Sequence, residues 1–245
     1  MFRAALFLLM VSGAPALATP PNVITAADYA EPTTRYPHAV LGDDIEWGAL
    51  RLTVDFCWQC EGRDIRSILI RLPETRVFED TAPRVIDLDG DGSPEVVVVE
   101  SDASQGARLA IYDDGGLVTA TPFIGTRFRW LAPLGATDLD GDDFMEIAYV
   151  DRPHLARTLR IWRYRDRMLE EVAALPGLTN HRIGETDIAG GIRDCGSGPE
   201  IILADADWRQ VMAVAFDGTT LTARPLGPHR DRDSFAQALA CRTPG

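Results

Sequence analysis

The 245-residue sequence has no lysine: its 24 basic residues are all arginine, set against 37 acidic ones, for a formal net charge of −13. An acidic chain without a basic cluster is a poor match for the nucleic-acid backbone or an anionic membrane surface, so neither is expected as a partner. The same acidity suits a chain that holds divalent cations. Also missing is any stretch with the 3.6-residue apolar period of a long amphipathic helix, which leaves an all-β reading. Long apolar runs are confined to the start, in "MFRAALFLLMVSGAPALA", where Arg3 precedes the run and Ala16-Leu17-Ala18 follows it. This is the pattern of a secretory signal peptide over residues 1–18, cleaved after Ala18 and too short to span a bilayer. The expectation is a periplasmic or secreted, soluble monomer, with residues 19–245 forming a single domain. The four histidines, His38, His154, His181 and His229, show no ligand spacing. There is no serine in a nucleophile elbow and no phosphate-binding glycine loop.

What is present is a repeated acidic phrase. "DLDGDGSPEVVVVE" begins at Asp87 and "DLDGDDFMEIAYV" begins at Asp138, roughly fifty residues later. After the first come "ARLAIYDD" and "LVTATPF"; after the second come "RTLRIWRY" and "MLEEVAAL"; a third register reads "EIILADAD", "QVMAVAF", "LTARPL". Each unit has four short β-rich segments split by Gly, Asp or Pro turns, and a recurrence at this length suits the blades of a β-propeller. The predicted units are approximately 36–79, 80–128, 129–178 and 179–228, with a closing strand in 229–245. That gives a small propeller of four to five blades. A β-sandwich or solenoid built from the same strands is the alternative architecture.

In the first acidic loop, Asp87, Asp89, Asp91 and Glu95 fall at positions 1, 3, 5 and 9. Alternate residues of a tight loop turn their side chains inward, so the aspartates converge, and a glycine after the third lets the chain reverse. With the Ser93 carbonyl at position 7, the loop offers the six or seven hard oxygen ligands that calcium prefers. The second loop repeats the set with Asp138, Asp140, Asp142, Glu146 and the Phe144 carbonyl. Asp143 replaces the glycine at position 6, which makes this the weaker of two expected calcium sites. An EF-hand is excluded because its position 12 would be Val98 or Tyr149, and strands rather than helices flank both loops.

Repeats of the DxDxDGxxE kind between two strands resemble the FG-GAP or VCBS-type repeats of bacterial exported proteins, related to the integrin α-subunit propeller. The resemblance covers residues 80 to 215 and implies a calcium-stabilised β-propeller, with the ligand roles carried to the eight acids named above. It predicts fold and metal better than activity. The third unit departs from the pattern, keeping only Asp194 and Glu200, and no calcium is expected there. Four cysteines in an exported chain suggest disulfides, and four allow three pairings. Cys195 in the third loop and Cys241 in the matching place of the C-terminal segment are the preferred pair, stapling the closing strand to the last unit.

"VDFCWQCEG" contains Cys57 and Cys60 in a C-x-x-C arrangement. A thiol–disulfide active site needs its first cysteine at a helix N-terminus, and neither a helix nor a βαβ pattern follows, so a bridged hairpin tip is the preferred reading. Trp130, Trp162, Trp208 and Tyr112 stand near strand ends as a sugar platform or as inter-blade packing. The favoured function is a calcium-binding propeller that serves as a binding module for a protein or carbohydrate ligand, without catalytic residues. The alternatives are a hydrolase or lyase using Asp151, Arg152, His154 and Arg157, and a redox protein using Cys57 and Cys60.

Overall fold

The computed structural model describes residues 22–245, so the signal-peptide reading of residues 1–18 lies outside the described residues. Seventeen strands and one helix make up the described chain, and the strands fall into three sheets. The first sheet holds β1 (Val23–Thr33), β2 (Glu46–Asp55), β3 (Ile65–Arg71), β4 (Arg76–Phe78), β5 (Arg84–Ile86), β6 (Glu95–Asp102), β7 (Gly106–Asp113) and β8 (Gly116–Ala120). Its order is β1-β2-β4-β6-β7-β8, with β3 pairing β2 and β5 pairing β6. The second sheet is an antiparallel meander of β9 (Leu131–Thr137), β10 (Met145–Asp151), β11 (Thr158–Arg165) and β12 (Met168–Pro176). The third holds β13 (Leu178–Thr179), β14 (Gly191–Asp194), β15 (Pro199–Asp205), β16 (Gln210–Phe216) and β17 (Leu221–Pro228), and α1 (Arg232–Leu239) follows it.

The repeat is visible as a four-strand pattern with an interrupted first strand. β4 and β5 both pair β6, at its two ends, and residues 79–83 leave the sheet between them. β13 and β14 flank β15 in the same way around residues 180–190. In the second sheet the interruption shrinks to a bulge, where the β9–β10 register shifts between Ala148 and Tyr149.

The valine run is explained by layering. Side chains alternate across a strand, and in β6 Val97 and Val99 enter one core cluster while Val96 and Val98 enter another. β10 sends Ile147 and Tyr149 to the first of these and Ala148 and Val150 to the next. β15 repeats the division, with Ile201 and Leu203 on one side and Ile202 and Ala204 on the other. A strand covered on both faces loses the usual apolar–polar alternation, which is why β6 is buried at all eight positions. Each such valine contributes about 1.5–3 kcal/mol relative to an exposed one.

Two expectations are corrected. The closing strand predicted in 229–245 is a helix: Asp231 caps α1, and its side chain accepts from the Ser234 amide. The outer face of the third sheet needs a cover, and Phe235 and Ala238 of α1 supply it against Ile202, Ala204, Val211 and Ala213. The start of the predicted first unit, residues 36–45, forms no strand. β1, which sequence reasoning left unassigned, takes that edge instead by pairing along β2 from Val23↔Asp55 to Thr33↔Glu46. Both expected disulfides form, Cys195–Cys241 and Cys57–Cys60. The first ties the loop after β14 to the end of α1, and the second closes the turn between β2 and β3.

Candidate functional site

Both acidic loops lie at the same end of their sheets, between β5 and β6 and between β9 and β10. The carboxylates are placed by backbone amides. The Asp87 carboxylate accepts from Gly90 (2.9 Å) and Gly92 (3.0 Å), and Asp138 accepts from Gly141 (2.7 Å), Asp142 (3.2 Å) and Asp143 (3.0 Å). Burial opposes ionisation of Asp138, but these amide bonds outweigh it and hold its carboxyl below the ordinary value. Position 6 is left-handed in both loops, at Gly92 (φ 87) and Asp143 (φ 69), as the turn requires. The position-9 glutamates enter their strands buried, and each accepts the amide of position 2: Leu88 to Glu95 at 2.9 Å and Leu139 to Glu146 at 2.8 Å.

In each loop three of the four acids meet. Carboxylate oxygens of Asp87, Asp89 and Glu95 lie within 4.8 Å of one another, as do those of Asp138, Asp140 and Glu146. The position-5 acids stand outside these triads. Asp91 accepts the Ser93 amide at 2.7 Å and Asp142 the Phe144 amide at 3.0 Å, which pins the residues at position 7.

The electrostatic settings of the two triads differ. At the first, burial pushes the Glu95 carboxyl up to about 7, the Leu88 amide opposes this, and the charges of Asp89 and Asp91 add to it. The β6–β7 pairing ends at Val96↔Tyr112, one position short of Glu95; the next residue of β7 is the acid Asp113, and the nearby Arg167 is drawn to it at 2.6 Å. At the second, the cross-strand neighbour of Glu146 is Arg163. Its guanidinium reaches Glu146 at 2.6 Å, Asp140 at 2.7 Å and Asp142 at 2.9 Å. The second triad thus contains a fixed cation. Even so, Asp140 Oδ1 is buried there without a hydrogen-bond partner, so the loop retains capacity for a further positive ligand. Sequence reading missed Arg163; the available signal was its place opposite position 9 in the hairpin.

At the other end of the sheets the β1–β2, β10–β11 and β13–β14 connections bring histidines together. His38 Nδ1 lies 2.5 Å from the buried Glu79 carboxylate, which also accepts from the Ser101 hydroxyl. Trp130 donates its indole N–H to the Glu79 carbonyl at 2.8 Å and meets the His181 ring edge-on at 4.9 Å. His154 Nε2 and His181 Nδ1 are 3.0 Å apart. Burial, with His181 and His38 nearby, lowers the His154 pKa to about 4.

Of the residues considered for catalysis, Asp151 is neutralised by Arg152 (2.8 Å) and Arg160 (3.0 Å), while His154 and Arg157 share a cleft. Among the aromatics, Tyr112 and Trp162 are packed within the sheets, bonded to Glu100 and Tyr149, and Trp208 alone lines that cleft. At Cys57 and Cys60 the chain forms turns without a helix, and the bridge closes a hairpin tip.

No curated protein and no solved structure matches the chain. Residues 87–149 match the family model described as the FG-GAP-like repeat. The matched segment holds both acidic loops, both convergent carboxylate triads and the strands between them, and over it the chain carries an FG-GAP-like repeat.

Proposed function

We propose that the protein is an exported, calcium-stabilised binding module whose sheets are the blades of a small β-propeller, with a protein or carbohydrate ligand on the face away from the acidic loops. The observation that carries the reading is the pair of convergent carboxylate triads at matching points of two repeats. Asp87, Asp89 and Glu95 would hold calcium at the first loop. Asp138, Asp140 and Glu146 would hold it at the second only against Arg163, so that site is the weaker. Bound calcium supplies positive charge that the first triad lacks, and each loop then locks its β-strand connection. Its role is structural.

The propeller reading is supported by the order of the layers. Successive sheets share cores through their second strands, and the interrupted first strands converge where Trp130 contacts both Glu79 and His181. Export is supported by the two disulfides, which suit an oxidising compartment. A binding module is favoured over an enzyme because Asp151 is already neutralised by two arginines and, among the described residues, His154 bonds only to His181.

The test is thermal unfolding in EDTA, then in millimolar calcium, with magnesium as control. A calcium-specific rise in midpoint that Asp89→Ala reduces is expected; equal midpoints in all three conditions would refute the structural-ion reading.

A further inference from the structure

We propose that the cleft between the β10–β11 and β13–β14 connections binds an acidic sugar, a saccharide bearing a uronate carboxylate. This rests on the binding-module reading and names the ligand class. The cleft is a shallow, open depression of about 310 Å³ lined by His154, Arg157, His181, Arg182, Ile183 and Trp208, among others. Three kinds of chemistry meet in it.

The first is cationic. Most arginines of this chain are neutralised by acids, yet the half-buried Arg157 has no acidic partner and no side-chain hydrogen bond among the described residues. Arg182 lies across the Trp208 ring, with its carbon Cζ 4.2 Å from the ring centroid, and meets its acid, Glu185, only at 4.0 Å. Two available guanidiniums on a chain of net charge −13 are a specific arrangement, because the general field of the protein repels anions. Guanidinium donors match a carboxylate in both charge and geometry.

The second is a directional acceptor. His181 Nε2 sits 2.9 Å from the Glu185 carbonyl, which can only accept, so Nε2 carries the proton. Neutral His181 Nδ1 is then an acceptor, and His154 Nε2–H donates to it at 3.0 Å. That leaves His154 Nδ1 bare, ready to accept from a hydroxyl. A sulfate dianion has no hydrogen to offer at this point; a sugar hydroxyl does. The third is apolar: Ile183 is 72% exposed at the cleft, a surface for the C–H face of a pyranose.

The backbone carries an independent mark. Arg157 (φ 49) and Trp208 (φ 58), both lining this cleft, hold left-handed conformations. For bulky residues this conformation costs free energy, and it persists where the surroundings over-determine it, commonly at binding sites.

The test is affinity electrophoresis of the mature, calcium-loaded protein through gels containing hyaluronan, polygalacturonate or neutral dextran. Retardation by at least one of the acidic polymers is expected. Arg157→Gln and Arg182→Gln should each weaken it tenfold or more, with unchanged circular dichroism. Arg51→Gln on β2, an exposed position carrying the same charge change, should leave it intact and so separates the cleft from general electrostatics. His154→Ala should weaken binding to the same polymer. Retardation by dextran alone would overturn the acidic-sugar assignment and leave the module reading standing, as would equal losses in Arg51→Gln and Arg157→Gln. Absence of retardation in every gel overturns the assignment, and the calcium-dependent midpoint then reports separately on the structural reading.

Discussion

Replacing Arg163 by glutamine should turn the second acidic loop from a self-neutralised turn into a strong calcium site. In the native protein one guanidinium contacts Glu146, Asp140 and Asp142 at 2.6, 2.7 and 2.9 Å. Hydrogen bonds to charged groups are each worth about 1.5–3 kcal/mol at most. Asp142 is well exposed and its contact is screened, so displacing the guanidinium should cost a metal ion roughly 2–3 kcal/mol in all. At 1.4 kcal/mol per tenfold, the second calcium of the native protein should bind roughly 30- to 140-fold more weakly than in Arg163→Gln. The variant should also be destabilised in EDTA, because Glu146 is fully buried and loses its counter-charge. Its midpoint should fall by about 5–10 °C and recover with calcium. Isothermal titration calorimetry and calcium-dependent unfolding of both proteins measure these quantities. Two equally tight sites in the native protein, or an unchanged second affinity in the variant, would refute the argument.

Further outcomes follow from the same geometry. The Cys195–Cys241 bridge closes a sequence separation of 46, so removing it should cost about 4 kcal/mol by chain entropy, whereas the Cys57–Cys60 bridge, with a separation of 3, should cost about half that; denaturant unfolding of the two double serine variants compares them. His154 has its pKa lowered from 6.5 to about 4 by burial and by His181, so the unfolded chain takes up this proton first and stability should fall as pH drops from 6.5 towards 4. Discounted for solvent screening, the loss is about 1–2 kcal/mol, and His154→Gln should remove that part of the slope in pH-dependent unfolding. Glu46 is buried, and burial together with Glu79, Asp43 and Asp80 raises its pKa; the stability it lends at low pH is lost as pH rises above the ordinary 4.5. Glu46→Gln should therefore raise the midpoint at pH 8 and leave it nearly unchanged at pH 4. Gly106 has φ 75, and an added Cβ would lie 2.2 Å from the Thr126 carbonyl, so Gly106→Ala should lower the midpoint markedly in a thermal scan.

The features legible in the sequence were those written in local spacing. The acids at positions 1, 3 and 9 meet because a tight loop forces them to, and the buried valines of β6 announce a strand covered on both sides. Hidden features were those that depend on which layer lies next to which. "DRDSFAQAL" carries a capping aspartate, but its phase in the repeat suggested a strand; only the uncovered face of the third sheet explains why Phe235 and Ala238 form a helix there. Arg163 looks like any strand arginine until the hairpin register sets it opposite Glu146. His38, His154 and His181 show no common spacing because they arrive from three separate connections, β1–β2, β10–β11 and β13–β14, and loop closure of that kind leaves no local pattern.

Antiparallel strands send successive connections to opposite ends, and in this protein the two ends have divided the work. The acidic loops, the Asp113–Arg167 pair and the close approach of Gly218 to Asp140 all lie at one end, where carboxylates are already shared with backbone amides or arginine. Such an end is suited to holding a cation and little else, since an anionic or neutral ligand would meet aspartates that are already committed. The other end receives His38, His154 and His181, the left-handed Arg157 and Trp208, and the Arg157 guanidinium, which has no acidic partner among the described residues. A cation held at the first end would stiffen the β5–β6 connection without touching the cleft, and the second strands between are buried elements. Loss of calcium should therefore lower ligand affinity only as far as it unfolds the module, and sugar binding measured below the unfolding transition should be the same at low and high calcium.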